Sequence, residues 1–218
     1  ANMISNEVFI DSATLRENVV ALARNIGYLP RSRKASRTTV NFFVDISSVS
    51  PTPANLTLKA GPVASTGGSF NNQSFVFGIP EDITVSVVDG IASFNNIEIF
   101  EGSYLTQTYI YSSRNPFQKF ILPNIGIDLD SLVVSVRPSA QSSVTTKYSR
   151  QDELFDSVTK STINKNSNIY FIQEVEGEQY EVIFGDGVFG KALEDGNVVD
   201  MSYIVSSGSD GNGVNSFS

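Results

Sequence analysis

The chain contains no cysteine, no histidine and no tryptophan among its 218 residues. Without cysteine there is no disulfide framework, no thiolate nucleophile and no cysteine–zinc site. Without histidine the commonest general base and transition-metal ligand is missing. Any catalysis would have to run on carboxylates or lysine, and an enzyme is disfavoured. Charge is also scarce, at 17% of residues against roughly 25% in ordinary globular proteins. The polar surface is therefore built mostly from Ser, Thr, Asn and Gln, which suits protein contacts because few charges need desolvating. A net charge of −8 argues against a chain that holds nucleic acid. Arg31, Arg33, Lys34 and Arg37 are a local exception, expected to form a solvated or partner-facing loop. No apolar run approaches the roughly 20 residues of a membrane-spanning helix, no secretory signal is read, and no membrane insertion is expected. Helix signals begin almost at Ala1, so the chain is expected to be a piece of a longer polypeptide.

What is present reads as β structure behind one helix. Thr14-x-x-Glu17 offers a capping box, and Leu15, Val19, Leu22 and Ile26 recur at helical spacing up to Gly27 and Pro30. The period then changes to two. Strands are expected at Thr38–Ile46, Asn55–Ala60, Ser74–Ile79, Ile83–Val88 and Ile91–Phe94, with Asn95–Asn96 turning into Ile97–Phe100. Asp89–Gly90 is the two-residue loop favoured for a type I′ hairpin. Beyond a candidate boundary at Glu101–Ser103, strands are expected at Tyr104–Ser112, Phe117–Leu122 and Leu132–Arg137. A short helix at Asp152–Val158 and a hairpin of Asn168–Val175 with Gln179–Phe184 follow, and Val198–Val205 is the last strand. These elements predict a mainly β protein, with short antiparallel strands in β-sandwich or small-barrel domains and an N-terminal amphipathic helix. The expected division is a helical arm and linker over 1–37, a first β domain over 38–103 and a second over 104–218.

Each chemical motif has a plainer rival. Asp128 and Asp130 suggest a cation site, yet Ile127 and Leu129 share one face, which sends both carboxylates to the other, expected to be solvated. Asp210-Gly-Asn-Gly opens like a calcium loop but fails the spacing at Val214. Gly185-Asp186-Gly187 with Gly190 invites a phosphate loop, but Lys191 is followed by Ala192 and no helix follows. The reading preferred is a structural turn, together with Gly196. Glu174, Glu176, Glu178 and Glu181 cluster around a hairpin, where a glycosidase pair would need a cleft; a solvated or partner-facing patch is expected. Tyr109, Tyr111, Tyr170 and Tyr180 would suit sugar rings, but on strands they are expected to be half-buried. No catalytic, metal or cofactor site is expected. Leu15, Val19 and Leu22 on the helix and Val188 and Phe189 on the glycine-rich loop are the candidate interface residues, since apolar side chains on such a loop need somewhere to dock, on a partner or equally on their own domain.

The run FGDGVFGK, a short acidic loop with Gly196, and VVDMSYIVSSGSDGNG resemble the closing motif of the baseplate J-like family, to which wedge subunits of T-even-type contractile phage tails belong. Upstream, GYLPRSRKAS, TLKAGPVASTGG and IEIFEGSYLTQTY followed by KFILPNIGIDLDSLVVSVRP are similar in the same order, so the resemblance covers most of the chain. It departs at Ala192–Leu193, where many relatives have Pro. The resemblance implies a non-enzymatic structural subunit of the virion, assembled in the host bacterial cytoplasm. Such a subunit joins neighbouring wedges into a ring around the hub and takes part in the rearrangement that triggers sheath contraction. Expected partners are a second copy, as a homodimer or ring, and other wedge and hub proteins. A glycan-binding adhesin shares the expected architecture and is the alternative; a carboxylate glycosidase is the enzyme rival.

Overall fold

The computed structural model describes Val19 and residues 32–66, 73–151, 163–214 and 216–217. Val19 is helical and half-buried. Leu15 and Leu22, with the rest of the expected opening helix, and the short helix expected at Asp152–Val158 lie outside the described residues. The described chain is mainly β and falls into two compact units. One draws on Gln107–Ile125 and Val134–Asp200, the other on Ser32–Thr106, Gly126–Val133 and the stretch from Met201 on. The expected ranges 38–103 and 104–218 are contiguous, whereas each unit combines separated stretches.

The second unit is a branched sheet of β1 (Arg37–Asp45), β2 (Asn55–Leu58), β3 (Gly61–Ser65), β4 (Val76–Ile79), β5 (Ile83–Val88) and β6 (Ile91–Glu101). Strand β1 runs antiparallel along one edge of β6. The other edge of β6 is shared: β5 pairs at Ile91 and Ala92, and β4 at Phe100 and Glu101. Strands β2 and β3 extend the two branches outward. Asp89 (φ 51°) and Gly90 (φ 78°) form the tip of the β5–β6 hairpin, the paired left-handed residues that a type I′ turn requires.

The turn expected at Asn95–Asn96 is instead a bulge within a continuous strand. Val40 pairs with Ile97 and Phe42 with Phe94, so Asn41 faces two residues of β6. Asn96 takes φ 56°, and its N–H donates to Asn41 Oδ1 at 2.6 Å. The extra residue shifts the alternation by one step. It thereby keeps Ala92 and Phe94 on the same buried face as Ile97 and Ile99. Phe75, Phe77 and Ile79 complete this core, and Phe42 stacks on Phe94 at 4.9 Å between centroids.

A seven-stranded sheet follows the order β7 (Ser103–Ile110), β13 (Val198–Val205), β9 (Ile127–Arg137), β10 (Thr146–Arg150), β11 (Ile169–Val175), β12 (Gln179–Phe184), β8 (Phe120–Leu122). It nearly closes into a barrel, because its two end strands approach each other within the first unit. Tyr109 on β7 donates its hydroxyl hydrogen to the Ile121 carbonyl of β8 at 2.8 Å. The Phe120 ring lies edge-on to Tyr109 and Phe184, at 5.6 and 5.3 Å. The pairs β9–β10, β11–β12 and β12–β8 are antiparallel. Strands β10 and β11 run parallel, Ser149 opposite Ile169, so the antiparallel expectation is corrected there. The β11–β12 hairpin turns at Gly177 (φ 78°) and Glu178 (φ 58°).

Replacing Tyr109 by Phe keeps the ring packing and removes the bond that ties β7 to β8. Urea denaturation is expected to show a loss of about 1 kcal/mol; an unchanged midpoint would mean that the rings alone hold the seam.

Candidate functional site

Two groups of residues carry the chemistry, one in each unit. In the branched-sheet unit, Asp128 is fully buried at 0% exposure, which overturns its expected solvated position. Its Oδ2 accepts the Ala35 N–H at 2.9 Å and its Oδ1 the Asp130 N–H at 3.0 Å. Arg37 lies 3.8 Å from the same Oδ2. The strand start is buried on both faces, as Ile127, Asp128 and Leu129 show together, so alternation alone misplaces the acid. Asp130 is the exposed partner. Lys34 and Arg37 donate to it at 2.8 and 3.0 Å, and they hold its carboxyl below the usual carboxylate range.

Arg33, Lys34 and Arg37 are exposed, in line with the solvated part of the expectation, yet each is held by an acceptor. Arg33 donates to the Ser206 carbonyl at 3.1 Å, and Arg37 also sits over the Phe100 ring at 5.2 Å. Arg31 lies outside the described residues. Beside this group is a second buried acid that the sequence reading treated only as part of a boundary. Glu101 accepts from Ser206 Oγ at 2.7 Å and from Ser207 Oγ at 2.9 Å. A signal was present: Glu101 continues the Ile97, Ile99 alternation and so points with them into the interior. The stretch containing Asp210 forms a short 3-10 turn, Ser209–Gly211.

In the barrel unit, the loop after β12 is fixed by two glycines and one aspartate. A side chain at Gly185 would stand 2.3 Å from the Gly190 backbone, and one at Gly190 (φ 87°) 2.8 Å from Ile169. Both positions need glycine on steric grounds. Gly187 N–H donates to the Gly190 carbonyl at 3.0 Å. Asp186 Oδ1 accepts from the N–H groups of Phe189 and Val188, at 2.8 and 2.9 Å, and these bonds lower its pKa. The loop thus closes on itself and leaves Val188 and Phe189 exposed, at 65% and 52%. Gly196 (φ 83°) turns the following loop, where Asp195 accepts from the Ser113 N–H at 2.7 Å.

An open cavity of about 320 Å³ lies at the base of this loop. Tyr111, Phe120, Phe184 and Leu193 wall it, with Glu181 and Asp186 as its acids. Of the four glutamates around the hairpin, Glu174 and Glu181 are buried, which corrects the solvated reading for these two; Glu176 and Glu178 are exposed at the turn. Gln173 donates to Glu181 Oε2 at 2.7 Å. Glu174 pairs across the hairpin with Tyr180, so it and Glu181 project from opposite faces and do not converge on one bond. Tyr170 and Tyr180 are core residues, while Tyr109 and Tyr111 are half-buried. Among the described residues no group of three or more His, Cys, Asp or Glu is placed to hold a metal ion, and no helix is long and apolar enough to cross a membrane. Comparison with protein-family models finds no match, and comparison with curated proteins finds none.

Three expectations follow. Replacing Asp128 by Ala leaves the Ala35 and Asp130 N–H groups without their buried acceptor and should cost about 2–3 kcal/mol in urea, whereas Asp130→Ala should cost less than about 1 kcal/mol, since its pairs with Lys34 and Arg37 are water-exposed. Because the folded state depresses the Asp130 pKa, its contribution is complete above the ordinary value near pH ~4 and is lost as pH falls below it; Asp130→Asn should flatten this acid limb. Gly190→Ala should destabilise by about 1–3 kcal/mol through its positive φ and the contact with Ile169; a neutral effect would mean the loop relaxes freely.

Proposed function

We propose that this chain is a structural subunit of a contractile-tail baseplate wedge, joining neighbouring wedges into a ring around the central hub and taking part in the rearrangement that triggers sheath contraction. The observation that carries this reading is the self-closed Gly185–Gly190 loop, which holds two apolar side chains out to solvent. A loop braced by close glycine contacts and an aspartate cap is costly to build for a surface that touches only water. It fits an element that docks. The low charge density and the ordered motifs that resemble baseplate J-like proteins support the same role. Partners are other wedge and hub proteins, and the place of action is the tail baseplate of a virion assembled in the host bacterial cytoplasm.

A glycan-binding adhesin is the second reading, favoured by Tyr111, which lines the open cavity beside two carboxylates. Reconstitution with purified wedge proteins of a contractile-tailed phage separates the two. The chain is expected to co-sediment in wedge complexes and to show no defined specificity on a glycan array. A chain that joins no tail complex and binds one glycan class sinks the assembly reading.

A further inference from the structure

The branched sheet has three outer strands and treats their free edges differently. Strand β2 is only four residues long, and β3 carries Pro62 and a register shift between Pro62 and Ala64. Short length, proline and irregularity are the devices that stop an edge from recruiting another strand. Strand β1 has none of them. It runs for nine residues with charge only at its two ends and an unbroken alternation of burial, because the bulge opposite Asn41 lies on β6. Its only strand partner is β6, and residues 38–44 make no further backbone bond among the described residues.

The inward face of β1 is incompletely covered. Val40, Phe42 and Val44 pack on the core of this unit yet stay half-buried, whereas Ile97, Phe94 and Ala92 opposite them on β6 are buried. On the outward face Phe43, opposite Ser93, is 69% exposed. At the end of the strand Asp45 is exposed, and the Ile46 N–H donates to the Gly90 carbonyl at 2.8 Å, which sets the exposed Asp89 tip close by. Neither aspartate forms an ion pair among the described residues.

We propose that the free edge of β1 is a strand-addition site, taken by an extended segment of a partner protein with apolar side chains at alternate positions and a lysine or arginine beside Asp45 and Asp89. Each feature of that segment answers one of the edge. A row of N–H and C=O groups without partners is satisfied along its length by another strand. Alternate apolar side chains continue the row of Val40, Phe42 and Val44, because a period of two puts them on one face. The two aspartates are complemented by a base. A second copy of β1 fits less well, since the base it brings is Arg37, which Asp130 already holds at 3.0 Å. The edge does not depend on where the chain acts.

The probe is a synthetic peptide of alternating Val and Thr with a pair of lysines at one end, added to the intact chain. It is expected to bind and to slow hydrogen exchange at the β1 amides that do not pair with β6, and not at β2 or β3. N-methylation of alternate peptide amides tests the backbone directly: along one edge of the peptide it should abolish binding, along the other it should leave binding unchanged. Replacing the lysines by glutamate should weaken binding at low salt, by roughly three-fold or more. Asp45→Asn combined with Asp89→Asn, which keeps the bond from Ser47 and the turn chemistry at Gly90, should do the same to the lysine peptide. No saturable binding at roughly millimolar peptide, equal effects of methylation along both edges, indifference to all of these charges, or protection at β2 or β3 instead overturns the proposal. So does a dimer of the free chain in which these β1 amides are already protected. Entry into wedge complexes with the β1 edge still exchanging fast would defeat this site and leave the assembly role standing. Peptide binding at β1 by a chain that joins no tail complex would uphold the site and sink the assembly role alone.

Discussion

A sheet must dispose of its last edge, and in the barrel unit this falls to Phe120. Strand β8 is three residues long and brings few ladder bonds of its own. What places it is a ring cluster: Phe120 against Tyr109, Tyr111 and Phe184, with Tyr148 packed on Phe184 in turn. Aromatic contacts of this kind add on the order of 1 kcal/mol each beyond area burial, enough to hold a short strand that pairing alone would leave loose. The closure remains incomplete beside it. Residues 111–118 and the end of β12 meet without filling the space between them, and the cavity is what is left. The glycine-rich loop starts where β12 ends, so the seam also sets where that loop stands.

The branched-sheet unit rests on a different device. The segments Ser32–Ser36 and Ser206–Gly208 belong to no strand, yet their backbone groups are largely buried and must find partners. Asp128 accepts the Ala35 N–H, Glu101 gathers three donors from Ser206 and Ser207, and Ser36 and Gly208 bond to each other directly. A carboxylate accepts on two oxygens with several lone pairs, which suits it to joining irregular chain. Arg33, Lys34 and Arg37 complete this arrangement, which explains why so charge-poor a protein concentrates basic residues there.

Much of the fold was legible in the residues. The hairpins at Asp89–Gly90 and Glu176–Glu178 announced themselves through turn chemistry, and the strand alternation around them is unambiguous. Where the reading failed, non-local pairing decided. Phe94 and Ile97 are three apart, which looks like a break in alternation; only the partner Asn41 shows it to be a bulge. Asp128 looked solvated because period two assigns it a face, but a strand covered on both sides has no solvent face to assign. The parallel β10–β11 pair has no local signature at all. Of the candidate site, the glycine requirement of the 185–190 loop was visible in the sequence. The cavity was not, because Tyr111, Gln118 and Leu193 converge only through the barrel.

The discontinuity of the branched-sheet unit has a consequence for synthesis. Ribosomes deliver chain in order, and domains generally fold as they emerge. Strands β1 to β6 are complete about a hundred residues before Ser206 and Ser207 exist to meet Glu101. During that interval the nascent unit carries an acid on its core-facing strand whose serine donors have not yet been made, and the long barrel segment must be translated in between. Completion of this unit is deferred to the arrival of Met201–Ser207, so its last bonds close only after the whole barrel segment has been made.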